Sequence, residues 1–343
     1  MSDHNQKKTG VLLIQLGTPD SPSVLDVGRY LSEFLGDPRV VDIPWLFRKL
    51  LVNGIIVPFR SPRSARIYKT LWNMSGGVSP LLTHTRNTCT QLQNRFPGEN
   101  VHIEMAMRYQ NPSLSGVLER MRLAAYDRIV IIPLFPQYAS ASTGSAMARV
   151  MEIISGWWVI PEIRIINQFH DHPAYIEAVA DRAASFRLAD YDHILFSYHG
   201  LPERHLDKVY PDDLCENQPC ETELNASNRF CYKATCYDTS RRLAQQLGLD
   251  ESRYTVCFQS RMNNKWVQPF ADRVIAEQAA RGAKKLLVFS PAFVADCLET
   301  LVEIGEEYQA DFTALGGEKV QLVPSVNDHA RFIDCLESLV REG

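Results

Sequence analysis

The sequence predicts an α/β fold of two similar halves, each a parallel sheet flanked by helices, with a cleft between them. Three observations carry this. Short β-rich apolar runs alternate with longer amphipathic segments, the β-α-β-α order of parallel sheets. Several runs are apolar at every position, as in Ile129-Val-Ile-Ile-Pro133 and Leu286-Leu-Val-Phe289, which suits strands covered on both faces. The pattern runs through roughly four strands and then four more, along a chain of 343 residues that can bury two cores.

In chain order, the first half opens on a strand at Gly10–Leu16 and an amphipathic helix at Ser23–Leu35. The stretch Asp42–Ser61 then breaks the rhythm with helix-like apolar spacing (Trp45, Leu46, Phe47, Leu50, Leu51, Ile55, Ile56, Phe59), and burial within this half is its simplest account. Helices follow at Ser64–Trp72 and Thr83–Arg95, a strand at His102–Arg108, a helix at Leu114–Ala124, a strand at Arg128–Leu134, a helix at Ala146–Ile154 and a strand at Ile163–Gln168. Phe169-His-Asp-His-Pro173 reads as linker and helix start, because Pro is favoured at a first helical position. The second half has helices at Pro173–Phe186, Thr239–Leu247, Pro269–Arg281, Asp296–Tyr308 and His329–Val340. Its strands are His193–Tyr198, Tyr254–Gln259, Lys285–Ser290 and Val320–Pro324. The lobes are drawn at residues 1–168 and 169–343, with a polar, cysteine-bearing insertion at 206–236. A structureless run of that length inside a compact domain is generally functional.

Composition narrows the function. The apolar fraction is 45% and the charged fraction 22%, so wholesale disorder is excluded. A net charge of −4 argues against a nucleic-acid partner. The longest apolar stretch, Leu50–Phe59, is about ten residues and is interrupted by Asn53, Gly54 and Pro58, whereas a span needs about 20. The polar N-terminus lacks the apolar core of a signal peptide, which points to a cytoplasmic protein with reduced thiols.

Two strand ends carry candidate chemistry. The run Ile194-Leu-Phe-Ser197 ends in Tyr198-His199-Gly200-Leu201-Pro202, and ligands of open α/β sheets bind beyond the carboxyl ends of strands. His199 therefore stands where chemistry usually occurs. After Lys285–Ser290 come Asp296, Glu299, Glu303 and Glu306. Asp296 can cap a helix with Glu299 as its reciprocal partner. Glu299, Glu303 and Glu306 follow i, i+4, i+7 and would line one face, where like charges repel unless they meet a cation or accept protons.

The 8 cysteines divide unequally. Cys89, Cys257, Cys297 and Cys335 are scattered, whereas Cys215, Cys220, Cys231 and Cys236 fall in a C-x4-C-x10-C-x4-C pattern. In a reducing compartment this spacing suits a metal, either a [2Fe–2S] cluster or structural Zn²⁺. The segment has little apolar content, so bound metal can supply the stabilisation it lacks.

Ordered motifs over nearly the whole chain resemble those of the ferrochelatases. They are Leu12-Leu-Ile-Gln-Leu-Gly-Thr-Pro19, Tyr30-Leu-Ser-Glu-Phe-Leu35, Asp37-Pro-Arg-Val-Val-Asp42, Arg60-Ser-Pro-Arg63 and Gly76-Gly-Val-Ser-Pro-Leu81. Further on stand Met107-Arg-Tyr109, Pro133-Leu-Phe-Pro-Gln-Tyr138, Ser197-Tyr-His-Gly-Leu-Pro202, Phe258-Gln-Ser-Arg261, Trp266 and Asp296-Cys-Leu-Glu-Thr-Leu301. The proteobacterial branch is the most similar. The resemblance implies two Rossmann-like lobes around a porphyrin cleft, and insertion of Fe²⁺ into protoporphyrin IX as the last step of haem synthesis. It makes His199 the catalytic histidine and Glu299 the essential glutamate, with Asp296 and Glu303 in a supporting acidic path. It makes Leu16, Arg108, Tyr109, Tyr138 and Trp266 porphyrin-lining positions.

Some bacterial ferrochelatases carry a [2Fe–2S] cluster on four cysteines, in certain branches within an internal insertion, and this segment resembles that arrangement. Cys236 also matches a cysteine of relatives without the insertion. The loop before Trp266 is one residue shorter than in the family and lacks its glycine.

Metal insertion must remove two pyrrole protons while delivering a cation. Neutral imidazole is the natural acceptor, and binding energy can hold the macrocycle bent. Arg60, Arg63 or Arg108 can pair with propionates. Three alternatives stand beside this reading: a coproporphyrin III chelatase, a chelatase for another tetrapyrrole, and a porphyrin or haem carrier. Contact of Trp45–Phe59 with a membrane surface, and a monomeric or dimeric state, are left open.

Overall fold

The computed structural model describes residues 7–342; the polar start of the chain, residues 1–6, lies outside them. The chain divides into two compact units. One comprises Met1–Phe135, Ser140–Gln168 and Ile333–Gly343, the other Pro136–Ala139 and Phe169–Phe332.

The first unit holds β1 (Thr9–Gly17), β2 (Val101–Tyr109), β3 (Arg128–Pro133) and β4 (Glu162–Ile165) in the order β2-β1-β3-β4, every pair parallel. Leu13 stands opposite Met105 on one side and Ile132 on the other. β1 is buried almost throughout because it is central and covered on both faces. One face packs Leu12, Ile14, Ala106, Ile129 and Ile131 against Leu118 and Met121 of helix Leu114–Leu123 and Val150 of helix Ser145–Ile154. Gly17 ends β1 at φ +124°, and a Cβ there would lie 2.1 Å from the Tyr109 carbonyl, so only glycine lets β1 and β2 run together to their ends.

The second unit repeats this plan. It holds β5 (His193–His199), β6 (Tyr254–Gln259), β7 (Lys285–Phe289) and β8 (Lys319–Leu322) in the order β6-β5-β7-β8, again all parallel. Leu195, Cys257, Leu286, Val288 and Val320 form one face of its core against Val274, Ile275, Ile304 and Phe312. All eight strands lie where the apolar runs put them.

The helices depart most from expectation in three places. Residues 45–74 are continuously helical, with π winding over Leu50–Ile56 between α-helical Trp45–Lys49 and Val57–Met74. Because the winding runs on without a break, Pro58 and Pro62 each lack the N–H that would close a helical bond there. Most apolar side chains of the segment 45–59 are not buried: Trp45, Phe47, Leu50, Ile55 and Phe59 are exposed, and Val52 is fully enclosed. Arg48 anchors it instead, donating to the carbonyls of Gly36 and Ile43. Second, helix Tyr232–Leu247 begins seven residues before the expected Thr239, directly after Cys231. Third, Glu299–Tyr308 is a π-helix.

Candidate active site

In the second unit the carboxyl end of β5 carries His199, and Gln259 beside it reaches Glu303 and the Glu299 carbonyl. His199 is the last residue of that strand, opposite Gln259 at the end of β6. Its Nδ1 lies 2.6 Å from the Gly200 carbonyl. A carbonyl only accepts, so Nδ1 carries the hydrogen and Nε2 keeps a free lone pair in the neutral ring. Gly200 is required beside it, because its N–H donates to the Gln259 carbonyl at 2.8 Å and a Cβ would meet that same oxygen at 2.8 Å.

Trp266 reaches this place although its loop is short. Trp266 bridges Pro202 in antiparallel fashion, Val267 donates to the Leu201 carbonyl, and Glu203 donates to the Lys265 carbonyl. The indole stands 6.4 Å from the His199 ring centroid. Phe293 stands at the same distance from the histidine ring. Sequence reasoning missed Phe293; its signal was position, in the loop just beyond the carboxyl end of β7.

The acidic residues take three different roles. Glu303 accepts from Ser260 N (2.8 Å), Ser260 Oγ (2.5 Å), Gln259 Nε2 (3.1 Å) and Tyr308 Oη (3.2 Å). Gln259 joins this group to the strand through its Oε1, which accepts from Ser197 Oγ at 2.7 Å, and to the helix through the Glu299 carbonyl. Burial raises the Tyr308 hydroxyl well above its ordinary range and the Glu303 charge adds to that, so Tyr308 remains a donor. Glu299 meets the Cys297 thiol, which burial and the Glu299 charge both hold protonated.

Asp296 corrects the sequence reading. It is buried, and its carboxylate accepts from Ser325 N at 3.0 Å, Asn327 Nδ2 at 2.8 Å and Thr300 Oγ1 at 3.4 Å. It ties the helix start to the loop after β8, with Thr300 rather than Glu299 as its partner on the helix. The acidic stripe is also corrected. With a ladder of i→i+5 bonds, Glu299 and Glu303 still share a face but Glu306 is turned away from it. Glu303 turns toward Gln259 and Ser260, while Glu306 is exposed.

The expected porphyrin-lining residues divide between the two units. In the first, Leu16 is half-buried near the end of β1 against the cluster of Val27, Tyr30, Leu31 and Tyr109. Tyr109 is 1% exposed, and its hydroxyl meets Asp37 at 3.0 Å and Ser145 at 3.0 Å. Arg108 pairs with Asp37 at 2.5 Å. These two residues therefore build a buried hub on Asp37. Burial pushes the Asp37 carboxyl up, but hydrogen bonds from Ser145, Arg39 N–H and Tyr109 and the Arg108 charge hold it below its ordinary value. Arg60 and Arg63 are exposed on helix Val57–Met74. In the second unit, half-buried Tyr138 packs edge-on against Phe230, ring centroids 6.3 Å apart.

The cysteine segment supplies a separate donor set. Cys215, Cys220 and Cys231 are buried, with Sγ–Sγ distances of 3.6 Å (215–231), 3.8 Å (220–231) and 4.0 Å (215–220). Cys236 lies outside this convergent group. Short-range polar contacts shape the loop: Asp207 accepts from Cys215 N, Asp213 from Leu214 N, Asn217 and Gln218, and buried Asn228 donates to the Glu223 carbonyl. The Cys231 thiol is held well below its ordinary range by hydrogen bonds from Cys215 and Cys220, and it stands at the N-terminus of helix Tyr232–Leu247, where negative charge is favoured. Three buried sulfurs in mutual contact fit a thiophilic metal.

Two parallel α/β units, with a histidine and carboxylates at the carboxyl ends of the strands of one, give the fold of the chelatase structures. The fold is similar to that of SirB from Bacillus subtilis with Fe³⁺, at a TM-score of 0.57 and 11% identity over 98% of this chain and 95% of that one. The ferrochelatase family model matches residues 8–343, and the chain belongs to that family. It is 43% identical over 336 residues to a ferrochelatase of Legionella pneumophila (strain Lens), covering 98% of this chain and 99% of the relative. It is 39% identical over 343 residues to a ferrochelatase of Coxiella burnetii (strain Dugway 5J108-111), covering 99% and 95%. The family consists of lyases that insert metal into a porphyrin in haem biosynthesis.

Proposed function

We propose that this chain inserts Fe²⁺ into protoporphyrin IX, with His199 Nε2 as the proton acceptor. The observation that carries this reading is the Nδ1–H bond to Gly200, which leaves Nε2 free beside the Trp266 and Phe293 rings. A pyrrole N–H passes its proton to Nε2 as the nitrogen lone pair turns to the metal. Glu299 stabilises the imidazolium that forms and takes part in passing protons or iron, and Glu303 positions Gln259 and Ser260 at the strand end. The aromatic walls grip the macrocycle and favour its bent form. Exposed Arg60 and Arg63 pair with propionates. Leu16, Tyr138 and Trp266 line the porphyrin, while Arg108 and Tyr109 support it through Asp37.

The exposed Trp45, Phe47, Leu50, Ile55 and Phe59, next to Lys49, Arg60 and Arg63, support peripheral contact with an anionic membrane surface. No helix among the described residues is long and apolar enough to cross a membrane, and the protein is proposed to be cytoplasmic. The cysteine segment is read as the seat of a resident metal, a [2Fe–2S] cluster or Zn²⁺.

The test is anaerobic insertion of Fe²⁺ into protoporphyrin IX and, in parallel, coproporphyrin III. The wild type is expected to favour protoporphyrin IX, and His199→Ala to lose about 10²–10⁴-fold in kcat while still binding porphyrin. A preference for coproporphyrin III overturns the substrate, and near-normal turnover in His199→Ala overturns the base.

A further inference from the structure

We infer that Cys215, Cys220 and Cys231 hold a single four-coordinate metal ion of the Zn²⁺ type, and that Cys236 is not one of its ligands. The first argument is the spacing of the sulfurs. Four ligands at about 2.3 Å around a tetrahedral ion stand about 3.8 Å apart. The three Sγ–Sγ distances are 3.6, 3.8 and 4.0 Å, so all three edges of one tetrahedral face are present together. A [2Fe–2S] cluster asks for something else. Its four thiolates divide into two pairs, one on each iron. A third sulfur is then close to its own partner but not to both members of the other pair. Three sulfurs in mutual contact therefore describe one metal centre.

The second argument is the place of Cys236. It belongs to the C-x4-C-x10-C-x4-C pattern, yet it is absent from the group whose ligand atoms all lie within 4.8 Å of one another. It is fully buried inside helix Tyr232–Leu247, next to Tyr232. Its small apolar side chain fills the interior there. Cys231, in contrast, stands just before that helix and meets the other two sulfurs.

The third argument is the surroundings. Tyr210 is buried, and its hydroxyl lies 3.3 Å from Cys220 Sγ. A hydroxyl donating to a ligand thiolate is the kind of outer contact that orients metal ligands. Cys215 is fixed through Asp207 Oδ1, which accepts its backbone N–H at 3.0 Å. Cys231 is fixed by its own N–H on the Asn228 carbonyl at 2.8 Å. Three protein ligands leave the fourth position to water or a small exogenous ligand, the open form of a thiolate site.

The test is metal and acid-labile sulfide analysis of the full chain, purified without oxygen and after reconstitution with Zn²⁺ or with Fe²⁺ and sulfide. His199→Ala serves as the background, so that substrate metal near the catalytic residues does not enter the count. One Zn²⁺ per chain and no bound sulfide are expected, with the stoichiometry retained in Cys236→Ala and lost in Cys215→Ser, Cys220→Ser and Cys231→Ser. Replacement by Co²⁺ should give the visible spectrum of a four-coordinate thiolate site. Two irons with two sulfides per chain overturn the inference, as does a wild-type chain that binds neither metal. Should Cys236→Ala not fold, Cys236→Ser, closer in size to the native side chain, takes its place and is likewise expected to keep one Zn²⁺ per chain, whereas its loss would make Cys236 a ligand.

Discussion

A neutral imidazole can carry its hydrogen on either nitrogen, and only one tautomer serves a given acceptor role. In His199 the choice is made by the next residue: the Gly200 carbonyl at 2.6 Å takes the Nδ1 hydrogen. The residue that holds this strand end against the π-helix is Glu303, through Gln259 and Ser260. Each of its carboxylate oxygens accepts from two donors. Glu303→Gln necessarily turns an amide N–H toward one of those pairs, a mismatch of about 1–3 kcal/mol at a half-buried site. The variant should fold and bind porphyrin with unchanged KM. Its kcat should fall about tenfold or more, with the pH dependence of kcat still that of the His199 base. Unchanged kcat would remove Glu303 from the positioning role.

At the level of elements, what was legible in the sequence depended on what the signal measures. Apolar runs report burial on both faces of a central strand, so β1, β3, β5 and β7 were readable from Val, Ile and Leu alone. Residues 45–59 defeated the same logic because most of their apolar side chains face outward, and apolar spacing alone does not say which side of a helix is covered. The π winding of Glu299–Tyr308 was invisible, since side-chain spacing does not report whether a ladder runs i→i+4 or i→i+5. Motif identity singled out His199, Trp266, Glu299 and Glu303, but it could not say that Tyr109 and Asp296 are enclosed. Nor could it find Phe230, which links two features read separately. Phe230 immediately precedes Cys231, lies under the Arg229 guanidinium at 5.0 Å, and packs edge-on against Tyr138. An aromatic pair of this kind contributes about 1 kcal/mol. Phe230→Ala should therefore raise the porphyrin KM roughly fivefold with kcat nearly unchanged. An unchanged KM would separate the cysteine segment from porphyrin binding.

For the molecule as a whole, the two units share one strand order and one device, a carboxylate held ionised inside polar contacts. In the first unit it is Asp37, with Arg108, Tyr109 and Ser145. In the second it is Asp238, with Arg242 at 2.7 Å and His170 Nε2 at 3.5 Å. Burial raises the Asp238 carboxyl, but the nearby His170 ring and the hydrogen bond and charge of Arg242 bring it down to about 2. Both folded values are depressed below the ordinary 3.8. A depressed carboxyl binds its proton later in the folded chain than in the unfolded one, so the unfolded state takes up protons first as the pH falls. The stabilisation is therefore complete above about pH 4 to 5 and lost as the pH drops toward the folded values. Asp37→Asn and Asp238→Asn should each lower Tm at pH 7 by roughly 5 °C, the scale of an enclosed ion pair losing one partner in a chain of this size. The deficit should shrink steadily below pH 4, because a protonated aspartic acid and an asparagine then carry the same charge. Thermal unfolding followed from pH 7 to pH 3 measures it. A deficit that stays constant over that range would mean that shape and hydrogen bonding, rather than the charge of these two groups, hold each unit together.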